Sequence, residues 1–215
     1  MCKLFKRDEK GITGLETAII LIAFVVVAAV FAYTTLSAGL FSTQKAQEAI
    51  YSGLQEAEST IDLKSAVIAT GNITGSAGNV QQISFCVSTM LGGSAVDFTP
   101  PDPNLVGNNG LAASGSSHKI VMNYIDNVQT VDDLYWTVQG LGGDDGDYIL
   151  ESGEKFEITI GSSVPGSDGG NLVNALTPNL SVNTQFNIIV ATQAGAVLAI
   201  ERTTPGSIDK VMNLR

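Results

Sequence analysis

The chain has 215 residues and a formal charge of −10, from 21 acidic and 11 basic side chains. That balance leaves no basic footprint for nucleic acid or anionic headgroups, and nucleic acid is excluded as a partner. Two cysteines, Cys2 and Cys86, cannot make a disulfide framework, and the single histidine, His118, excludes a histidine-rich metal site.

Six of the first ten residues are charged: Lys3, Lys6, Arg7, Asp8, Glu9 and Lys10. Gly11 follows, then Ile12-Thr13-Gly14-Leu15-Glu16-Thr17. From Ala18 to Phe41 there is no charge, and Ile19 to Phe31 is almost purely aliphatic. About 20 apolar helical residues cross a bilayer, so this stretch is long enough to span one. The basic cluster ahead of it places the N-terminus inside and the remainder outside. Glu16 stands at the mouth of the apolar run. Thr13-x-x-Glu16 reads as a capping box, with the carboxylate favoured by the helix dipole. The other reading gives Glu16 an ionic partner, as membrane-segment carboxylates usually have.

Beyond Phe41 the pattern turns amphipathic. Ala46, Ile50, Leu54, Ala57 and Ile61 recur at helical spacing, opposite Gln44, Gln47, Glu48, Gln55 and Glu58. A single helix over 12–62 is predicted, about 75 Å long and far more than a bilayer needs. Residues 63–215 then read as strands: 67–69, 83–87, 120–125, 135–138, 156–160, 186–190 and 196–200 are β-branched or aromatic, separated by glycine-rich turns. The expected fold is α+β, a long hydrophobic helix followed by an antiparallel, immunoglobulin-like β-sandwich. The stretch 97–117, rich in Pro, Gly, Asn and Ser, reads as a long surface loop.

Two separated stretches resemble a known family, the archaellins, subunits of the archaeal swimming filament and similar to type IV pilins at the N-terminus. The first is Lys10-Gly11 before Ile-Thr-Gly-Leu-Glu-Thr-Ala-Ile-Ile-Leu-Ile-Ala-Phe (12–24). The second is Gln193-Ala194-Gly195-Ala196-Val197-Leu198-Ala199-Ile200-Glu201-Arg202-Thr203-Thr204-Pro205, similar to the closing hairpin of that family. The resemblance implies a leader of residues 1–11, cut by a membrane peptidase between Gly11 and Ile12, with Glu16 as the fifth mature residue. Loss of the leader would take the charge to −12 and leave Cys86 alone. It further implies a precursor in the membrane and, outside the cell, a polymer of this chain and related subunits, served by an assembly and motor complex. Two other processings are open to the sequence. One is ordinary secretion with a cut after Val30-Phe31-Ala32; the other is a permanent anchor.

Chemistry-bearing patterns are few, and no enzyme is expected. His118 reads as a strand-edge or surface residue, and neither a nucleophile elbow nor a phosphate-binding glycine loop is present. Asp144, Asp145 and Asp147, with Glu151 and Glu154 nearby, form an oxygen-rich loop suited to calcium, although the spacing departs from the EF-hand. A plain acidic turn is the alternative. Asn72-Ile73-Thr74 and Asn179-Leu180-Ser181 are N-glycosylation patterns in the outer segment. The functional expectation is a filament subunit. An adhesive pilin-like subunit and a membrane-anchored binding domain are the alternatives.

Overall fold

The computed structural model describes residues 10–90, 92–103, 109–162 and 169–214, and side chains from Gly14 onward. Cys2 and the rest of 1–9 lie outside it. Helix α1 runs from Lys10 to Glu58 without a break, about 74 Å at 1.5 Å per residue. No proline interrupts it, and threonine hydroxyls return to carbonyls of the preceding turn, as Thr17 to Gly14 (3.0 Å) and Thr34 to Phe31 (2.9 Å).

Two expectations about this helix are corrected. Thr13 lies inside it rather than at its start, so it is not the N-cap residue of α1 in the full chain. At the other end Ile61 is not helical. The last helical turn tightens, with Ser59 N donating to Gln55 O (3.1 Å) and Thr60 N to Ala57 O (3.4 Å). Ile61 then opens strand β1 (Ile61–Leu63), where it is buried. Ile61, Asp62 and Leu63 alternate between buried and exposed as a strand does, and a buried place in a sheet for β-branched Ile61 outweighs one more helical turn.

The chain divides into two compact units, residues 1–52 and Gly53–Arg215. The second holds the sheets. One is six-stranded and built around β12 (Val211–Leu214), β2 (Val67–Ile73), β3 (Asn79–Thr89), β9 (Lys155–Ile160) and β7 (Trp136–Leu141), in that order, with β1 also pairing β3. The other runs β11 (Val197–Thr203), β10 (Gln185–Ala191), β5 (Val121–Asp126) and β6 (Thr130–Val131). A small ribbon pairs β4 (Val96–Asp97) with β8 (Ile149–Leu150). All ladders are antiparallel, and every strand expected from the sequence is present.

Period-two alternation explains the packing. In β9 and β10 alternate residues are buried, placing Phe156, Ile158 and Ile160 against Phe186, Ile188 and Val190 in one continuous core. Two bulges interrupt the β2–β3 ladder. Thr70 pairs Gln82, Gly71 pairs Val80 and Ile73 pairs Asn79, which leaves Gln81 and Asn72 as extra, unpaired residues. The C-terminal tail crosses to this edge, burying Ile208 beside Gly71 and Gly78.

The expected surface loop is in part core. Phe98 is fully buried and meets Trp136 and Phe156 edge-on at 6.2 and 5.9 Å between ring centres. Ala112 is buried as well, and bridges join Pro103 to Ala112 and Leu111 to Leu134. Proline and glycine break strands here, but apolar side chains between the breaks still seek the core. Residues 104–108 lie outside the description.

Candidate functional site

The feature that stands out chemically is the surface of α1. Fifteen large apolar or aromatic side chains between Leu15 and Phe41 are each more than half exposed, and they occur on all sides of the helix. At about 1.5–3 kcal/mol for each aliphatic or aromatic side chain moved out of water, such a surface demands lipid or protein around it. By length and composition it can also cross a membrane. Glu16 is exposed near its N-terminal end. Gly11 and Ile12, the expected cleavage pair, lie in the first helical turn, and their side chains are outside the description.

The two sequons differ. Asn72 is exposed, as are Ile73 and Thr74, and it is one of the bulge residues of the β2–β3 ladder. Asn179 is half-buried. In the orientation that satisfies its neighbours, its amide donates to Val173 O (3.1 Å) and Leu176 O (2.9 Å) and accepts from Asn79 Nδ2 (3.2 Å). It thereby holds the end of the short helix α2 (Leu172–Ala175) against β3.

In the acidic turn the structure brings Asp144, Asp145 and Glu154 together, with one carboxylate oxygen of each within 4.8 Å of the others. Asp147 is not among them. Its Oδ1 accepts from Ile149 N (2.7 Å), and its own amide donates to Asp145 Oδ1 (3.3 Å). Gly140 of β7 makes room for Asp144, whose carboxylate occupies the place a Cβ would take there.

His118 is not a surface residue. Its side chain is 9% exposed and Nε2 lies 2.9 Å from Asp133 Oδ1, tying the segment ahead of β5 to the turn ahead of β7. Cys86 is a free, half-buried thiol in β3.

A pair that the sequence reading passed over is Tyr124 with Asp126. Tyr124 is fully buried against Phe186, its ring stacked at 5.8 Å, and its hydroxyl donates to Asp126 Oδ2 (2.8 Å). Burial and this bond push the phenol far above its ordinary pKa. Burial tends to raise Asp126, but donors from Val128 N, Tyr124 and Gln129 outweigh it and hold the carboxyl below the usual range. Gln129 then bonds Pro178 O (2.6 Å) and Thr177 N (2.9 Å), closing a polar corner under the sandwich.

A long, exposed apolar helix followed in the chain by antiparallel sheets is an architecture with known counterparts. The archaeal-type flagellin model matches residues 11–202. The chain belongs to that family. Probable flagellin 1 of Archaeoglobus fulgidus is 35% identical over 98% of this chain and 97% of its own length. Probable flagellin 1 of Aeropyrum pernix is 31% identical over 94% and 95%. Among solved structures, the archaeal flagellum of Methanospirillum hungatei strain JF1 is 25% identical, covers 94% of this chain and 98% of its own, and has a TM-score of 0.54. The archaeal flagellin FlaB1 of Methanocaldococcus jannaschii shares the fold, with 10% identity and a TM-score of 0.51 over 73% of this chain and 96% of its own. This flagellin-family chain is a structural subunit of the archaeal motility filament, and it works outside the cell as part of a cell-surface polymer.

Proposed function

We propose that the subunit polymerises through α1. The observation that carries this is the helix surface, apolar on every side and uncovered from Leu15 to Phe41. In the precursor it rests in lipid; in the polymer it packs lengthwise on copies of itself, and each Å² of apolar surface withdrawn from water contributes about 25 cal/mol. Repeated contacts that do not close a ring give an open helical polymer. The acidic sandwich then faces outward, and torque comes from a separate motor complex.

Processing between Gly11 and Ile12 by a leader peptidase supplies the competent subunit. The peptide bond is hydrolysed, which leaves a carboxylate on Gly11 and an α-amine on Ile12, one helical turn from Glu16. Paired between neighbouring copies, that amine and Glu16 set the axial register of an arriving subunit. Of the two sequons, exposed Asn72 is the glycan acceptor and Asn179 serves the fold. At Asn72 the amide nitrogen bonds the anomeric carbon of an activated sugar, losing one proton as the donor's leaving group departs.

N-terminal sequencing of sheared surface filaments tests the processing. Ile-Thr-Gly-Leu-Glu is expected, whereas a start at Tyr33 would indicate ordinary secretion and remove the helix from the polymer. Glu16→Gln should leave processing intact and lower filament yield; normal yield with normal helical parameters would refute the register role.

A further inference from the structure

On the four-stranded sheet the outward positions mix apolar Ile189, Ala191, Val197 and Ala199 with polar Gln185, Asn187 and Glu201. On the six-stranded sheet Thr70, Ser84, Thr137, Gln139, Glu157 and Thr159, together with Gln82 and Val138, line a shallow groove of about 440 Å³ across β2, β3, β9 and β7, with exposed Ile68 and Val211 beside its Thr70 end. The ladder sets them in register: Ser84 opposite Thr159, Thr159 opposite Thr137, Glu157 opposite Gln139. Gln82 is engaged by Ser162 O, while the hydroxyls of Thr70, Ser84, Thr137 and Thr159, the Gln139 amide and the Glu157 carboxylate make no hydrogen bond to another described residue and are open to a ligand from outside. One charge among six polar groups suits a neutral, hydroxyl-rich ligand better than an ion, and alternating donors and acceptors match the vicinal hydroxyls of a sugar.

Asn72 stands beside one end of this groove. It follows Thr70 by two residues on β2, about 7 Å along the strand, and the bulge leaves it unpaired and exposed. From Thr70 the remaining three strands lie at about 4.8 Å intervals, so the groove extends about 14 Å across the sheet from Thr70. An oligosaccharide on Asn72 therefore begins next to the polar face and can run along it.

We propose that the outer face of the six-stranded sheet is a carbohydrate-binding groove whose occupant is the glycan carried on Asn72 of the same chain. This rests on the reading of Asn72 as the acceptor. The sugar hydroxyls satisfy the outward groups of β3, β9 and β7, and the glycan becomes an ordered outer layer of the sandwich.

Filaments are prepared from cells carrying the wild-type chain, Asn72→Gln, the near-isosteric pair Thr137→Val with Thr159→Val, and all three changes together. Mass spectrometry of the peptide carrying Asn72 reads occupancy, which is expected in the wild type and in the paired threonine variant. Asn72→Gln and the threonine pair should each lower the melting temperature, by about 3 °C, and the combination should lower it no further, because both remove one interaction. Cryo-electron microscopy of wild-type filaments should show sugar density leaving Asn72 and lying over Thr159 and Thr137. An unmodified Asn72 overturns the acceptor reading and the occupant with it. A modified Asn72 whose sugar density projects into solvent, or whose melting shifts add or vanish, overturns the groove alone.

Discussion

Gly78 offers a sharp test of how the C-terminal tail is held. It is a buried residue, and a Cβ placed on it would lie inside contact distance of Ile73 O, 2.7 Å from Ile208 Cβ and 3.0 Å from Gly75 O. Two of these neighbours are backbone carbonyls, and the third is the root of a fully buried side chain, so none can swing away. Gly78→Ala must therefore shift the β2–β3 turn or expel Ile208. Such overpacking costs about 1–3 kcal/mol. For a chain of this size each kcal/mol moves the melting temperature about 2–4 °C, giving an expected drop of about 2–12 °C. Calorimetry of intact filaments is the assay. Gly206→Ala is the control, since its Cβ would meet only Asn183 at 3.5 Å, an ordinary contact. Equal melting of Gly78→Ala and wild type would refute the tight seat for Ile208.

Phe98→Ala should cost about 3–5 kcal/mol, the penalty of a large core truncation, as read by melting; a change under about 0.5 kcal/mol would return this segment to the surface. Asp126 has a depressed folded pKa, so its contribution is present above the ordinary carboxylate pKa and is lost as pH falls through the folded value. Asp126→Asn should therefore flatten the acid limb of a melting-temperature profile below about pH 4, and an unchanged limb would contradict this. For the acidic turn, a cation held by Asp144, Asp145 and Glu154 predicts that chelator lowers filament melting and calcium restores it, by about 2.7 kcal/mol at a hundredfold excess over Kd. Glu154→Gln should abolish that response and Asp147→Asn should not; indifference of the wild type to chelator leaves a solvated turn.

What could be read from the sequence was what repeats locally. The apolar helix and the long strands each carry a period of their own, and Phe156 to Ile160 alternates so plainly that its buried face needs no partner to be recognised. Strands of two or three residues, such as Val96–Asp97 and Ile149–Leu150, are too short to show alternation. Phe98 was masked by the prolines that follow it, because composition reports backbone irregularity while burial follows the side chain. Ile61 continued a helical spacing by coincidence. Glu154 joins Asp144 and Asp145 only because the turn through β8 folds back, a relation that no linear spacing contains. Tyr124 and Asp126 did carry a signal, the two-residue step that puts both on one face of a strand. What singles that pair out is the depth of Tyr124, and depth is a property of the assembled sheets.

The junction at Ser59 and Thr60 has a mechanical meaning. Tension applied along the chain through α1 enters the sandwich at β1, three residues paired to the far end of β3, with Ile61 opposite Thr89 and Leu63 opposite Val87. Just before it, Ser94 N donates to Glu58 O (2.9 Å), and Gly93 packs so closely on that carbonyl that a Cβ would lie 2.7 Å away. This coupling is short, and the ladders behind it are long: seven residue pairs join β10 to β11 and six join β7 to β9. By ladder length alone, the three-residue pairing of β1 with β3 is the place where local opening costs least, and the longer ladders behind it are the last to open.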